Sequence, residues 1–129
     1  MNTPLAAAAA LTVVIALVHS VLGERLVFSR LRQGTLVPTQ GGTLLRGHHV
    51  RILWATWHVV SVLGAAVAGV LLMLANEPLL GPLHLGLLKL IAWAMLASGV
   101  LVLIGTRGRH PGWIGLTGVA VLTWLGLPG

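Results

Sequence analysis

The chain alternates between long apolar runs and short polar connections. Four apolar runs are present, at residues 5–22, 52–74, 83–104 and 113–127. A helix that crosses a bilayer needs roughly 20 apolar residues, so the second and third runs qualify outright and the first qualifies if its helix begins at Pro4. The fourth run is short. A helix that begins at Pro111 would cover about 25 Å, which fits an upright helix or a thin bilayer.

These runs predict an all-α fold, a four-helix antiparallel transmembrane bundle that forms a single membrane domain over residues 1–129. The helices are expected at about 4–23, 50–75, 83–105 and 111–127, with an interfacial segment at about 24–33. The first run lacks a basic leader and a following A-x-A site, so we expect a spanning helix there and not a signal peptide. The amphipathic text from Glu24 to Arg32 is typical of a helix that lies along the membrane surface.

Basic residues are concentrated in two of the polar connections. These are Arg25, Arg30, Arg32, Arg46 and Arg51 after the first run, and Arg107 and Arg109 after the third. Seven of the eight Lys and Arg residues therefore fall on one expected side, which the positive-inside rule makes cytoplasmic. We expect a multi-pass protein of the bacterial cytoplasmic (inner) membrane with both termini on the non-cytoplasmic side. The simplest role of these arginines is to set topology and contact lipid phosphates.

Composition supports the bilayer as the solvent of this chain. It is 57% hydrophobic and only 8% charged, whereas soluble domains carry about 25% charged residues. A net charge of +6 would suggest a nucleic-acid partner in a soluble chain, but here topology accounts for it and no nucleic acid is expected. The absence of cysteine excludes disulfides and thiolate sites. No nucleotide-binding or hydrolase motif is found, so an enzyme is not favoured.

The candidate chemistry lies on the expected cytoplasmic side, where five of the six histidines fall. On the second helix, Arg51, Trp54, His58 and Ser61 share one face, because residues three, four and seven apart are neighbours on a helix. Small residues continue this face, which favours close approach of another helix. His58 is therefore expected to point into the bundle, at a depth similar to that of His19.

Several interpretations of this cluster remain open. A metal ion would take His19, Glu24, His58 and His110 as ligands, although Glu24 lies about 140° round the helix from His19 and helps only if Gly23 bends the chain. Haem would take His19 and His58 as axial ligands. A quinone or lipid headgroup would use His58 and Trp54 as donors, with arginines such as Arg51 on anionic groups. Otherwise, His19 and His58 hydrogen-bond to each other, to Ser61 or Ser20, or to backbone groups, and so hold helices together.

Three strings point to a family. They are H-S-V-L-G-E at 19–24, W-H-V-V-S at 57–61 and R-H-P-G-W at 109–113. Together they resemble a group of small bacterial four-helix membrane proteins with H-S-x-L-G-E, W-H-x-x-S and R-H-x-x-W text in the same order. The resemblance covers most of the chain and implies a shared fold without a particular activity. It draws attention to His19, Glu24, His58, His110 and Trp113.

Two functions follow as hypotheses. The first is an accessory or assembly subunit of a larger membrane complex, with the lipid bilayer and either a membrane protein or a second copy of the chain as partners. The alternative is a His-based membrane protein that binds a metal ion, haem or quinone on the cytoplasmic side. A proton-coupled transporter comes third, because the outer half of the membrane offers only Lys89 and His84 for a polar path.

Overall fold

The computed structural model describes residues 1–128, and its regular structure over that range is helical. The elements are α1 (Thr3–Leu26), a short 3₁₀ segment (Phe28–Leu31), α2 (Gly47–Asn76), α3 (Pro82–Gly105) and α4 (Gly112–Leu125). In the connection between α1 and α2, Gly41 and Leu45 form one isolated β-bridge. The expected all-α class with four helices is thus confirmed.

Three helices, α1, α2 and α3, are long and apolar enough to cross a membrane, which indicates a membrane protein. The fourth is shorter than the predicted 111–127. It has 14 residues and therefore a length of about 21 Å at 1.5 Å per residue, against a hydrocarbon core of about 30 Å. The predicted crossing by α4, the antiparallel arrangement and the sidedness of the termini stay predictions.

The helix ends follow local chemistry. The first helix continues past its expected end near residue 23 to Leu26, because one glycine costs a helix only about 1 kcal/mol relative to alanine and Glu24 and Arg25 are good helix formers. The predicted interfacial stretch therefore holds the last turn of α1 and the 3₁₀ segment. Helix α3 begins at Pro82, where the missing proline N–H has no intrahelical partner to lose.

The chain forms two compact units. We call residues 16–63 the hairpin unit, and residues 1–15 with the chain from residue 64 onward the core unit. The core unit contains a cluster of buried apolar side chains that draws on all four helices and includes Leu5, Leu71, Leu88 and Val119. The apolar runs predict this kind of close packing between helices.

Asn2 organises one end of the core unit. Its side-chain oxygen accepts from the Leu5 backbone N–H at 3.2 Å, as an N-cap residue does, and its side-chain nitrogen donates to the Gly126 carbonyl at 2.8 Å. Its backbone N–H donates to the Ala75 carbonyl at 2.6 Å. The start of α1 therefore lies beside the ends of α2 and α4.

Candidate functional site

The hairpin unit contains a connected group of polar side chains, which we call the polar cluster. Its members are Ser20 and Glu24 from α1, Arg32 after the 3₁₀ segment, and Trp54, His58 and Ser61 from α2. Helical spacing explains the two rows. Residues 20 and 24 are four apart on α1, and residues 54, 58 and 61 are four and three apart on α2, so each row lies on one helix face.

Ser20 is the central link of the cluster. Its hydroxyl is hydrogen-bonded to Nδ1 of His58 at 2.9 Å and to the Ser61 hydroxyl at 2.8 Å. These bonds join α1 to α2 with side chains that are all partly buried. Between membrane helices a hydrogen bond of this kind contributes roughly 0.6–2 kcal/mol, so the pair is a substantial part of what holds these helix segments together.

Glu24 forms the charged end of the cluster. Arg32 forms an ion pair with its Oε1, and the Trp54 indole Nε1 donates to its Oε2 at 3.2 Å. Hydrogen bonds in which one partner is charged, such as that of a guanidinium with a carboxylate, are shorter and stronger than neutral ones. The His58 Nε2 lies 3.7 Å from the same Oε2, which is beyond hydrogen-bonding distance. His58 therefore stands between a hydroxyl and a carboxylate.

An aromatic layer lies beside the polar cluster. The His19 imidazole stacks on the Trp57 indole, with ring centroids 4.4 Å apart and planes at 7°. The Trp57 Nε1 donates to the His19 carbonyl at 2.9 Å. The buried Phe28 ring meets Trp57 edge-on at 5.6 Å and His58 at 6.2 Å. Because Phe28 belongs to the 3₁₀ segment, this contact fixes that segment against the hairpin unit.

The structure brings together some of the predicted site residues. His58, Glu24 and Trp54 are neighbours in the polar cluster. His19 is stacked on a tryptophan of the same unit, and Arg51 lies exposed on the first turns of α2. Their predicted roles as ligands of a cofactor stay predictions.

His110 belongs to the core unit and lies two residues before the start of α4. Its Nδ1 accepts from the Gly112 backbone N–H at 3.0 Å, and the backbone N–H of His110 donates to Thr106 Oγ1 at 3.4 Å. Within residues 1–128, no group of three or more His, Asp or Glu side chains is gathered closely enough to hold a metal ion. The predicted metal set of His19, Glu24, His58 and His110 stays a prediction.

Sequence reasoning missed two participants, Arg32 and Trp57. Ser20 was among the hydrogen-bond partners that it allowed for the histidines. The pairing of Arg32 with Glu24 was not foreseen, because a helix end and a turn separate the two residues. The contact of Trp57 with α1 was overlooked because attention fell on the adjacent His58. Gly23 on the facing helix leaves the room that the indole needs.

Chemically, the polar cluster is suited to hold helices together, and one of its atoms could bind a ligand. Ser20, Ser61, Glu24 and Trp54 hydrogen-bond to each other or to His58. Nε2 of His58 makes only the long contact to Glu24. Among the interactions seen within residues 1–128, it is the cluster atom best able to meet a polar group from outside. No protein-family model, no curated protein and no solved structure matches the chain.

Proposed function

We propose that this chain is an accessory or assembly subunit of a larger complex in the bacterial cytoplasmic membrane. One observation carries the proposal: the polar cluster is bonded within the chain, while large apolar side chains on every helix are exposed. A protein whose polar groups serve its own helices and whose remaining surface is apolar offers packing surface to lipid or to another membrane protein.

A stripe of small residues on α2 supplies a face for such a partner. Ala65 and Gly69 follow Ser61 at intervals of four, and both are exposed. A side chain placed on Gly69 would meet nothing within 4 Å, so the stripe has room for a second helix. Small residues at this spacing let helix backbones approach closely in membranes.

The test uses a matched pair of variants. Gly69→Leu and Gly86→Leu each add a large side chain where the chain itself has no neighbour within 4 Å. The tagged wild-type protein, expressed at native level and isolated in mild detergent, is expected to carry a stoichiometric membrane partner. Gly69→Leu removes that partner and Gly86→Leu, on α3, retains it. A wild-type protein of 13.5 kDa that is isolated alone, with complexes of the host membrane unchanged by its deletion, would reject the proposal.

The topology belongs to the same proposal: four antiparallel crossings, with both termini on the non-cytoplasmic side. The contacts of Asn2 with Ala75 and Gly126 favour one end for the start of α1 and the ends of α2 and α4. The chain has no cysteine, so a single introduced thiol reports its side by reaction with an impermeant reagent. Thiols at residues 79 and 127 are expected to react from outside and a thiol at residue 36 from inside. An inside reaction at 127 would mean that α4 does not cross.

A second candidate function is supported by Nε2 of His58. This atom lies 3.7 Å from Glu24 and can meet a metal ion, a haem iron or a quinone oxygen. Gentle purification followed by metal analysis and an absorption spectrum tests it. A stoichiometric metal or a visible band that disappears in His58→Ala would favour this function. A colourless, metal-free protein without bound quinone would reject this second function, and the subunit proposal would be the one that remains.

A further inference from the structure

The hairpin unit carries more positive charge than its acidic side chain can neutralise. The hairpin unit holds five arginines, at positions 25, 30, 32, 46 and 51, and one acidic residue, Glu24. Glu24 pairs with Arg32. Across residues 1–128, the other four arginines take part in no ion pair, and all four are exposed. The surface therefore presents four guanidinium groups for an anion.

Large leucines lie among these arginines and point away from the protein. Leu36 is 79% exposed and Leu44 is 90% exposed, although both stand in a connection and not on a spanning helix. Leu26, beside Arg25, is exposed as well. Exposed leucines that alternate with arginines are typical of segments that enter the boundary between lipid headgroups and acyl chains.

The connection is held in place by its own contacts. The backbone N–H groups of Thr39 and Gln40 both donate to the Leu31 carbonyl, at 3.0 and 2.9 Å. Pro38 and Phe28 are buried. These contacts fasten the middle of the connection to the 3₁₀ segment.

We infer that residues 25–51 form a binding surface for anionic phospholipids, with the arginines on the phosphates and Leu36 and Leu44 inserted beneath the headgroups. One guanidinium group can bind two phosphate oxygens at once. Clusters of basic residues next to membrane helices recognise anionic lipid. The leucines favour a lipid over a soluble polyanion, because only a lipid offers apolar contact beside its phosphate. This inference does not depend on the subunit proposal.

The first experiment measures depth at single positions. Because the chain has no cysteine, Leu44→Cys and Leu36→Cys can each carry one environment-sensitive fluorophore in lipid nanodiscs. Nanodiscs of phosphatidylcholine are compared with nanodiscs that also hold roughly a third phosphatidylglycerol, which supplies the negative surface that basic segments require. Quenching by brominated acyl chains is expected to be at least about threefold stronger in the anionic discs. Leu79→Cys, in a connection with Glu77 and no Lys or Arg, is the control and is expected to be indifferent to lipid charge.

The second experiment changes the arginines in the Leu44→Cys protein. Replacing Arg25, Arg30 and Arg46 together by Gln is expected to reduce quenching in anionic discs to the level of neutral discs, while replacement by Lys retains most of it. Inorganic phosphate at constant ionic strength is expected to leave the quenching unchanged. Quenching that is equal in the two lipids, or that survives in the Gln variant, overturns the inference. Loss of quenching with free phosphate or RNA would assign the surface to soluble anions and overturn it too.

Discussion

The Trp57 indole occupies the space that a side chain on Gly23 would need. The ring also stacks on His19 and donates to the His19 carbonyl, so one tryptophan of α2 covers a full turn of α1. Glycine at this position lets the backbone of α1 approach the ring directly. The alignment of Ser20 with His58, one turn away, depends on that close approach.

Gly23→Ala is therefore expected to destabilise the protein although alanine is the better helix former. The added methyl would lie 2.0 Å from the Trp57 Nε1 atom. Forced overpacking typically costs about 1–3 kcal/mol, and an overlap this severe belongs in the upper part of that range, above the gain of roughly 1 kcal/mol in helix propensity. The measurement is the free energy of unfolding in mixed micelles, followed by tryptophan fluorescence.

Gly69→Ala is the matched control for this variant. It makes the same substitution on the long apolar helix α2, at a position where the new methyl meets nothing within 4 Å. The control is expected to be neutral or slightly more stable, because only the helix propensity changes. Equal effects of the two substitutions would show that Trp57 does not restrict Gly23.

Ser20→Ala tests the polar link between α1 and α2. The change removes the bonds to His58 and Ser61 and leaves their polar atoms without this partner, for an expected loss of about 1–2 kcal/mol in unfolding free energy. Ser98→Ala is the control, because its hydroxyl bonds only to the Ala94 carbonyl of its own helix. The control is expected to change stability by less than about 0.5 kcal/mol. A similar loss in both variants would contradict a special role for Ser20.

The apolar runs predicted the helices well because hydropathy is a property of a segment and needs no knowledge of its neighbours. Helices α1, α2 and α3 lie within a few residues of their expected bounds. The end of α1 was placed near residue 23 because the amphipathic text that begins at Glu24 was read as a separate segment along the membrane surface. In the structure, Gly23 serves the packing of Trp57 while the helix runs on to Leu26.

The site was predictable only in part. The face of α2 that carries His58 follows from helical spacing, and the hydrogen bond to Ser20 was among the simple interpretations of that face. The partner of Glu24 did not follow, because Arg32 reaches it only after the chain has left α1 and passed through the 3₁₀ segment. Side chains that meet across a turn leave no periodic signal in a sequence.

Arg32→Gln is expected to weaken the charged end of the cluster. Glu24 would keep the indole N–H of Trp54 but lose its cationic partner. Both side chains are partly exposed, so the expected loss is about 0.5–1 kcal/mol and shrinks at high salt. Arg30→Gln, an exposed arginine without an ion pair in the described part of the chain, is expected to leave stability unchanged. Losses that match between the two variants at every salt concentration would argue against the Glu24 pair.

Gly99→Leu is expected to separate α3 from α4 in the core unit. A Cβ on Gly99 would lie 2.9 Å from Thr117 Oγ1 and 3.3 Å from the Trp113 carbonyl oxygen. The hydroxyl can rotate away, but the carbonyl belongs to the α4 backbone, so the helices must move apart at a cost of about 1–3 kcal/mol.

Two measurements check this expectation. Unfolding in mixed micelles gives the loss of stability, with Gly86→Leu, which adds a side chain into open space, as the control. Spin labels on the exposed positions Leu101 and Val121, introduced as cysteines, report the spacing of the two helices by electron resonance. The distance is expected to increase in Gly99→Leu and to stay constant in Gly86→Leu. An unchanged distance together with unchanged stability would show that α4 does not rest on Gly99.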